Sequence, residues 1–405
     1  MSFILTIDGA AWRAGVHRRL ASAHEATGHP LIPVVKGNGY GLGQRLLAET
    51  AGDLGLPSLA VGTVYEAEDV LTTGTSAEII VLEPYCAADQ AAARAWGRIW
   101  AQHGGSRLIA VAADPQGLSA LAQTVLAQTG PAPSTLTSST GTPVREILLE
   151  GRTSMQRFGM SPTAVQDALA MDVVQQAQSS GALRIRGLSL HLPLAADRSP
   201  GESGDSVPRN ARYAGVDAWA RMWAQIVAAA PGLGYGHALS LSHVSDDELR
   251  ALARAHPSLT IQLRAGTSVW LTDRSVLSAS GTVLAVDPIG RRTHLGYRQR
   301  AVPAHGTAVV VSGGTSHGIG LTAPSAGAQA RQRVTTAGIG ILDSLGRALS
   351  PFRWAGKQRW FIEPPHQHVS MIWLPRGCVI PPVGAQINAN VRFTTSRFDA
   401  VLWTD

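Results

Sequence analysis

Between residues 31 and 266, eight short apolar runs rich in β-branched residues alternate with segments of helical period, and this alternation constrains the fold more than any other feature. The runs are LIPVVK at 31–36, SLAVGT at 58–63, EIIVLEP at 78–84, RLIAVAA at 107–113, REILLE at 145–150, RGLSLHL at 186–192, LSLSHVS at 239–245 and TIQLRA at 260–265. Stretches between them, such as 114–128 and 211–230, are rich in alanine and leucine and long enough for crossover helices. Strands alternating with helices form parallel sheets, and eight is the number at which such a sheet closes into a barrel. The expected class is therefore α/β, with a (βα)8 barrel over residues 1–272. From residue 273 the texture changes to strands and turns (SGTVLAV, TAVVVSGG, RWFIEP, HVSMIWLP, FDAVLW), which reads as a mostly-β domain over 273–405. Two stretches rich in Pro, Gly, Ser and Thr, 129–143 and 195–210, are expected to be mobile surface loops.

Composition removes several classes of function. No apolar run approaches the roughly 18 residues needed to span a bilayer, and MSFILTIDGAAWRAG lacks the basic leader of a secretory signal, so a soluble cytoplasmic protein without membrane association is expected. Cys86 and Cys378 stand too far apart for a paired-cysteine metal knuckle, and no disulfide framework is indicated. The net charge is +6, but the arginines are scattered rather than gathered into a stripe, which argues against nucleic acid. His366 and His368 share one face of a strand without an evident third ligand, so no metal site is expected.

One count points to chemistry. Of the 34 basic residues only Lys36 and Lys357 are lysine, and the other 32 are arginine. A chain that writes its cations as arginine keeps lysine where a guanidinium cannot substitute, and only an amine forms an imine or deprotonates to act as a base. Lys36 ends the first run and enters VVKGNGYGLG, whose glycines let the backbone turn sharply and approach a bound group. The segment is neither a dinucleotide fingerprint, since Leu42 stands where a third glycine would fall, nor a phosphate-binding P-loop. A barrel collects its reactive groups at the C-terminal ends of its strands. There the other runs bring Arg157 (in SMQRFGM), His191, Ser245 and the group Arg264, Ala265, Gly266, Thr267. An amine, two guanidiniums, an imidazole, a hydroxyl and a glycine turn suit a planar, phosphorylated, anionic cofactor.

These residues carry a resemblance. VVKGNGYGLG resembles the pyridoxal-phosphate lysine motif of the alanine racemases, the fold type III enzymes, and the likeness runs in order through SMQRFGM, SLHLP, HVSDDELR and LRAGTSVW. It continues through VLSASGTVLAVDPIGRRTHLGY, 276–297, and so covers most of the chain. The resemblance implies pyridoxal 5'-phosphate as cofactor and a small amino acid as substrate. Lys36 is implied as the Schiff-base lysine and one catalytic base, and Tyr297 as the opposite-face base supplied by the second subunit of a head-to-tail homodimer. Tyr40, Ser245, Gly266 and Thr267 are implied as the phosphate cradle, His191 as the group beside the pyridine ring, and Arg264 as the partner of the ring nitrogen. Arg157 and Met371 are implied on the substrate side. For the phosphate, Ser245 competes with Ser240 and Ser242, and also with an N-cap role before DDELRALARA.

The departures from the family pattern lie on the substrate side. Glu150 stands where many members carry a carbamylated lysine, and Arg152 replaces an acid. Thr315 and His317 take the tyrosine and acid positions of the entrance loop, Ile372 replaces an aspartate, and Ser396 falls near the gate tyrosine. The expected function is a pyridoxal-phosphate-dependent racemase of alanine or a related small amino acid. The alternatives are a racemase-like cofactor protein without turnover and a specialised lyase on the same barrel.

Overall fold

The computed structural model describes residues 2–103, 107–128, 144–194, 209–302, 304–320 and 348–404. The expected loop 129–143 and most of 195–210 lie outside them. The chain forms two compact units, one of residues 16–37 and 44–272, the other of 1–15, 38–43 and 273–405. The first strand, β1 (Phe3–Asp8), belongs to the second unit.

The first unit is the expected barrel. Its strands are β2 (Ile32–Pro33), β3 (Ser58–Val61), β4 (Glu78–Pro84), β5 (Leu108–Ala112), β6 (Arg145–Gly151), β7 (Leu183–His191), β8 (Ala238–Ser242) and β9 (Thr260–Ala265). All pair in parallel in the order β2-β9-β8-β7-β6-β5-β4-β3. The sheet closes because Val34 bridges Ala60 and the Val35 N–H donates to the Ala60 carbonyl at 2.8 Å. Ile32, Val34, Ala60, Ile80, Ile109, Val111 and Leu148 form one buried cluster. Strands β3, β5 and β6 are buried along their whole length, which is why they read as continuous apolar runs rather than alternating ones. The crossover helices expected near 114–128 and 211–230 run Pro115–Gln128 and Arg209–Ala229. Among the described residues no helix is long and apolar enough to cross a membrane.

The second unit is built on an antiparallel sheet. It contains β10 (Leu277–Ile289), β11 (His294–Leu295), β12 (Arg300–Ala301), β13 (Gly306–Ser312), β14 (Leu349–Trp354), β15 (Lys357–Phe361), β16 (Val369–Pro375), β17 (Gln386–Ala389) and β18 (Ala400–Thr404). The order is β13-β16-β15-β14-β17-β10-β1-β18, and β13 also pairs with β10, so six strands close on themselves while β1 and β18 extend the sheet. The closure encloses Phe3, Val283, Val309, Val311, Phe352, Ile372, Leu374 and Ile387. The parallel pairing of β1 with β18 ties the first strand to the last.

Candidate active site

In the barrel unit the site grows from the end of β2. Two backbone N–H groups near Lys36 are held by one carboxylate: Gly37 donates to Glu66 Oε1 at 3.0 Å and Gly62 to Oε2 at 2.6 Å. Glu66 is placed by its own helix, Val64–Leu71, whose N-cap Thr63 accepts the Glu66 N–H at 3.3 Å. On the other side of β2, buried Trp270 donates to the Val34 carbonyl at 2.8 Å. The lysine therefore leaves a backbone fixed from two directions. Glu66 was missed in the sequence, although the spacing Thr63-x-x-Glu66 is that of a capping box and marks an acid at a helix start.

Strand register lines up the next layer. His191 on β7 is opposite Ser242 on β8, which is opposite Arg264 on β9. Two positions earlier on β7, Ser189 is opposite Glu150 on β6. Arg264, 4% exposed, donates from Nη1 to Ser189 Oγ at 2.7 Å, and Ser189 also hydrogen-bonds buried Glu150. The row reads guanidinium, hydroxyl, carboxylate, so a desolvated cation meets a desolvated anion through one serine. Burial pushes the Glu150 carboxyl up, and Arg264, Ser189 and Arg157 oppose that rise. Burial lowers Arg264, and Glu150 counters it.

These charges act on Lys36 and His191. The Lys36 amine retains access to solvent, yet burial lowers its pKa below the ordinary lysine value, Arg157 and Arg264 push it further down, and Glu66 partly restores it. His191 is depressed to about 3, first by burial and then by Arg264, Arg157, His243 and Lys36. It is therefore neutral at physiological pH. Its Nδ1 pairs with Ser242 Oγ at 2.7 Å, and that oxygen also accepts the Leu192 N–H at 3.3 Å. The donor set is an amine with its proton loosened, a neutral imidazole and two guanidiniums opposite a single buried carboxylate. Such an excess of positive charge fits an anionic, planar group.

The remaining expected residues fall as follows. Arg157 is exposed on the 152–160 loop with its guanidinium 5.1 Å from the Phe158 ring, and it borders a cavity of about 550 Å3 shared with Arg152, Glu83, Asp89 and Asp114. Arg152 is committed to the loop itself, its Nε donating to the Gly159 carbonyl at 2.9 Å. Gly266 starts the short helix Thr267–Trp270, with Thr267 exposed at its first position. Ser245 takes the N-cap role: its hydroxyl donates to the Glu248 carboxylate at 2.8 Å and accepts the Glu248 N–H at 3.3 Å. Of the competing serines, Ser240 is buried with no hydrogen-bond partner for its hydroxyl among the described residues, and Ser242 serves His191.

The second unit holds the others. Tyr40 is buried in the turn Gly39–Gly41 at φ 56°. Gly37, Gly39, Gly41 and Gly43 all adopt positive φ, and at Gly41 (φ 89°) a Cβ would press on the Phe393 carbonyl and the Phe398 ring. Asn38 Nδ2 donates to the carbonyls of Phe393, at 2.9 Å, and Ser396. The glycine spacing seen in sequence is thus a requirement of a tightly docked loop. Tyr297 lies in the turn between β11 and β12 and is 85% exposed. Met371 packs beside the cluster of Ile289, Val302, Ala308 and Ile362.

At the expected entrance positions the side chains turn inward. His317 is buried, accepting the Gly314 N–H on Nδ1 at 3.1 Å and donating from Nε2 to Asp399 at 3.2 Å, with its ring 5.5 Å from that of Phe3. Ile372 is in the β core and Ser396 is buried. Of these four only Thr315 borders the cavity beside Tyr297. Among the described residues no group of three or more His, Cys, Asp or Glu is arranged to hold a metal.

A family model described as "Alanine racemase, N-terminal domain" matches residues 7–240. Among solved structures the chain is similar to alanine racemase of Clostridium difficile 630, with TM-score 0.63, 11% identity, and coverage of 96% of this chain and 86% of that one. For alanine racemase from E. faecalis the values are 0.59, 17%, 99% and 98%. For the enzyme of D-cycloserine-producing Streptomyces lavendulae they are 0.63, 15%, 100% and 97%. No curated protein sequence matches this one. The barrel and the β unit thus have their place in a known class: the chain belongs to the alanine racemase family.

Proposed function

We propose that this protein is a cytoplasmic, pyridoxal-phosphate-dependent racemase that interconverts the enantiomers of a small amino acid. The observation that carries the reading is the Lys36 amine at the end of β2, with its pKa lowered by burial and by Arg157 and Arg264, in a chain of this family. When bound, pyridoxal phosphate supplies an electrophilic aldehyde for amines and a conjugated ring that takes up charge from Cα. Lys36 would hold it through its amine. Gly266 and Thr267 would offer backbone N–H groups to the phosphate, Tyr40 its hydroxyl, and Ser245 its hydroxyl from the N-cap position.

The chain's own groups then divide the work. Arg264 would face the ring nitrogen and, being always charged, would deliver no proton to it, so the ring would draw less charge than beside an acid. That arrangement suits return of a proton to Cα and argues against a decarboxylase. Neutral His191 would stand beside the ring without adding charge. Arg157 would pair with the substrate carboxylate, and Met371 would lie on the substrate side. Lys36, which loses its proton more readily than an ordinary lysine, removes or returns the Cα proton on one face. Tyr297 of the partner subunit does so on the other, in a head-to-tail homodimer whose β unit completes the neighbouring site.

One observation favours a substrate other than alanine, or a protein that keeps the cofactor without turnover: His317, Ile372 and Ser396 are buried at the expected entrance. A screen of amino acids for enantiomer conversion, read by chiral chromatography on protein saturated with pyridoxal phosphate, separates these readings. Racemase function predicts conversion of at least one small amino acid, abolished in Lys36→Ala and strongly reduced in Tyr297→Phe. Colour without conversion of any amino acid would establish the non-catalytic alternative, and failure to bind the coenzyme would overturn both.

A further inference from the structure

A cavity of about 580 Å3 in the β unit is walled by Tyr297, Arg298, Thr315, Glu363, His366 and His368. An exposed tyrosine on a turn samples several rotamers unless neighbours hold it, and holding it has an entropic cost. Here the Tyr297 ring, though 85% exposed, has one ring neighbour. The His366 imidazole lies 4.5 Å away between centroids, inclined by 47°. The imidazole is fixed in turn, because its Nε2–H donates to Oε1 of Glu363 at 2.5 Å and Glu363 is 3% exposed. A carboxylate only accepts, so a neutral His366 carries its proton on Nε2 and presents Nδ1 as an acceptor.

The same carboxyl shapes the turn that bears the phenol. Gly296 has φ 74°, and a Cβ there would overlap the Glu363 carboxyl. Gln299 closes the turn from the far side, its backbone N–H and Nε2 donating to the Gly296 carbonyl at 3.2 and 2.9 Å. The His366 backbone is anchored as well: its N–H donates to Val369 at 2.9 Å, and its carbonyl accepts the Thr315 N–H at 2.8 Å. The carboxylate thus holds the imidazole, the imidazole touches the phenol ring, and the residue before the phenol is one that leaves room for the carboxylate. Filling the space with an apolar side chain would avoid burying a charge, which is costly unless paired. The Glu–His pair is placed where it can act on the tyrosine.

We propose that Glu363 and His366 are positioning residues for Tyr297, holding its phenol in the orientation from which it exchanges a proton with the substrate Cα. The proposal rests on Tyr297 being the opposite-face catalytic group. It is tested on the coenzyme-loaded protein in deuterium oxide, starting separately from each enantiomer of the amino acid converted best. Two quantities are read, inversion and deuterium gained by the enantiomer that has not inverted. In His366→Ala inversion is expected to fall about 10- to 100-fold, the range set by misplacing a reacting group by about an ångström. The exchange that Lys36 performs on one enantiomer should persist. Glu363→Ala should behave like His366→Ala, whereas Glu363→Gln, which keeps an acceptor, should restore inversion. Adding His366→Ala to Tyr297→Phe should cost nothing more.

A readout independent of turnover is the fluorine resonance of 3-fluorotyrosine placed at position 297. In the parent protein it should differ from that of the unfolded chain, and His366→Ala should move it toward the unfolded value. Tyr297→Phe inverting like the parent would remove the underlying reading and this proposal with it. Loss of inversion in Tyr297→Phe but not in His366→Ala would overturn the positioning role alone. So would an equal fall of inversion and exchange in His366→Ala, or an unmoved fluorine resonance.

Discussion

The depressed pKa of His191 makes a quantitative demand on stability. An ordinary histidine value is 6.5, and in the folded protein that of His191 is about 3. The unfolded chain therefore binds a proton that the folded chain refuses throughout that window. Stability is unaffected above pH 6.5, falls as the pH drops, and reaches its full loss near pH 3. Each unit within the window is worth about 1.4 kcal/mol, so moving from pH 7.5 to pH 5 should cost about 2 kcal/mol through this one residue. In His191→Gln, which retains a hydrogen-bonding group toward Ser242, that component should vanish. The assay is urea unfolding of the coenzyme-free protein at both pH values, followed by tryptophan fluorescence, with parent and variant compared as a difference so that all other titrating groups cancel. The parent should lose about 2 kcal/mol more than the variant. Parallel losses, equal within about 0.5 kcal/mol, would refute the argument that burial and the surrounding cations keep the imidazole neutral.

Other perturbations follow from the same geometry. Glu66→Ala removes the acceptor for the Gly37 and Gly62 N–H groups, so unfolding measurements should show a loss of about 1–3 kcal/mol. Because Glu66 raises the Lys36 pKa, the same change should move the acid limb of the activity profile to lower pH. Arg264→Leu leaves the buried Glu150 without its countercharge and should destabilise by about 3–5 kcal/mol, with much of that recovered in the double variant Arg264→Leu/Glu150→Leu. Ser245→Ala removes a helix cap and should cost about 1 kcal/mol. If Ser245 also meets the phosphate, equilibrium dialysis of pyridoxal phosphate should show weaker binding as well.

The barrel was legible because its evidence is local. Strands such as β3 and β5 are short runs of residues buried on both faces, and helices of ordinary length lie between the strands. Lys36 was legible for two local reasons, the scarcity of lysine and the glycines that follow it, whose positive φ values show why glycine recurs there. The strand FILTID at the N-terminus was not legible. Its role depends on pairing with β10 and β18, both remote in sequence.

What the sequence determined by itself, then, was the repeating architecture, and it singled out one amine as the candidate for reactivity, since periodicity and residue chemistry are properties of neighbours along the chain. The tertiary structure alone decided how polar groups are paired. It gave Ser242 to His191, turned His317 toward Asp399, set Glu66 beneath the lysine turn, and placed His366 against Tyr297. Those choices depend on strand register and on which loops meet. A hydrogen bond between residues tens or hundreds of positions apart leaves no spacing by which a sequence could announce it.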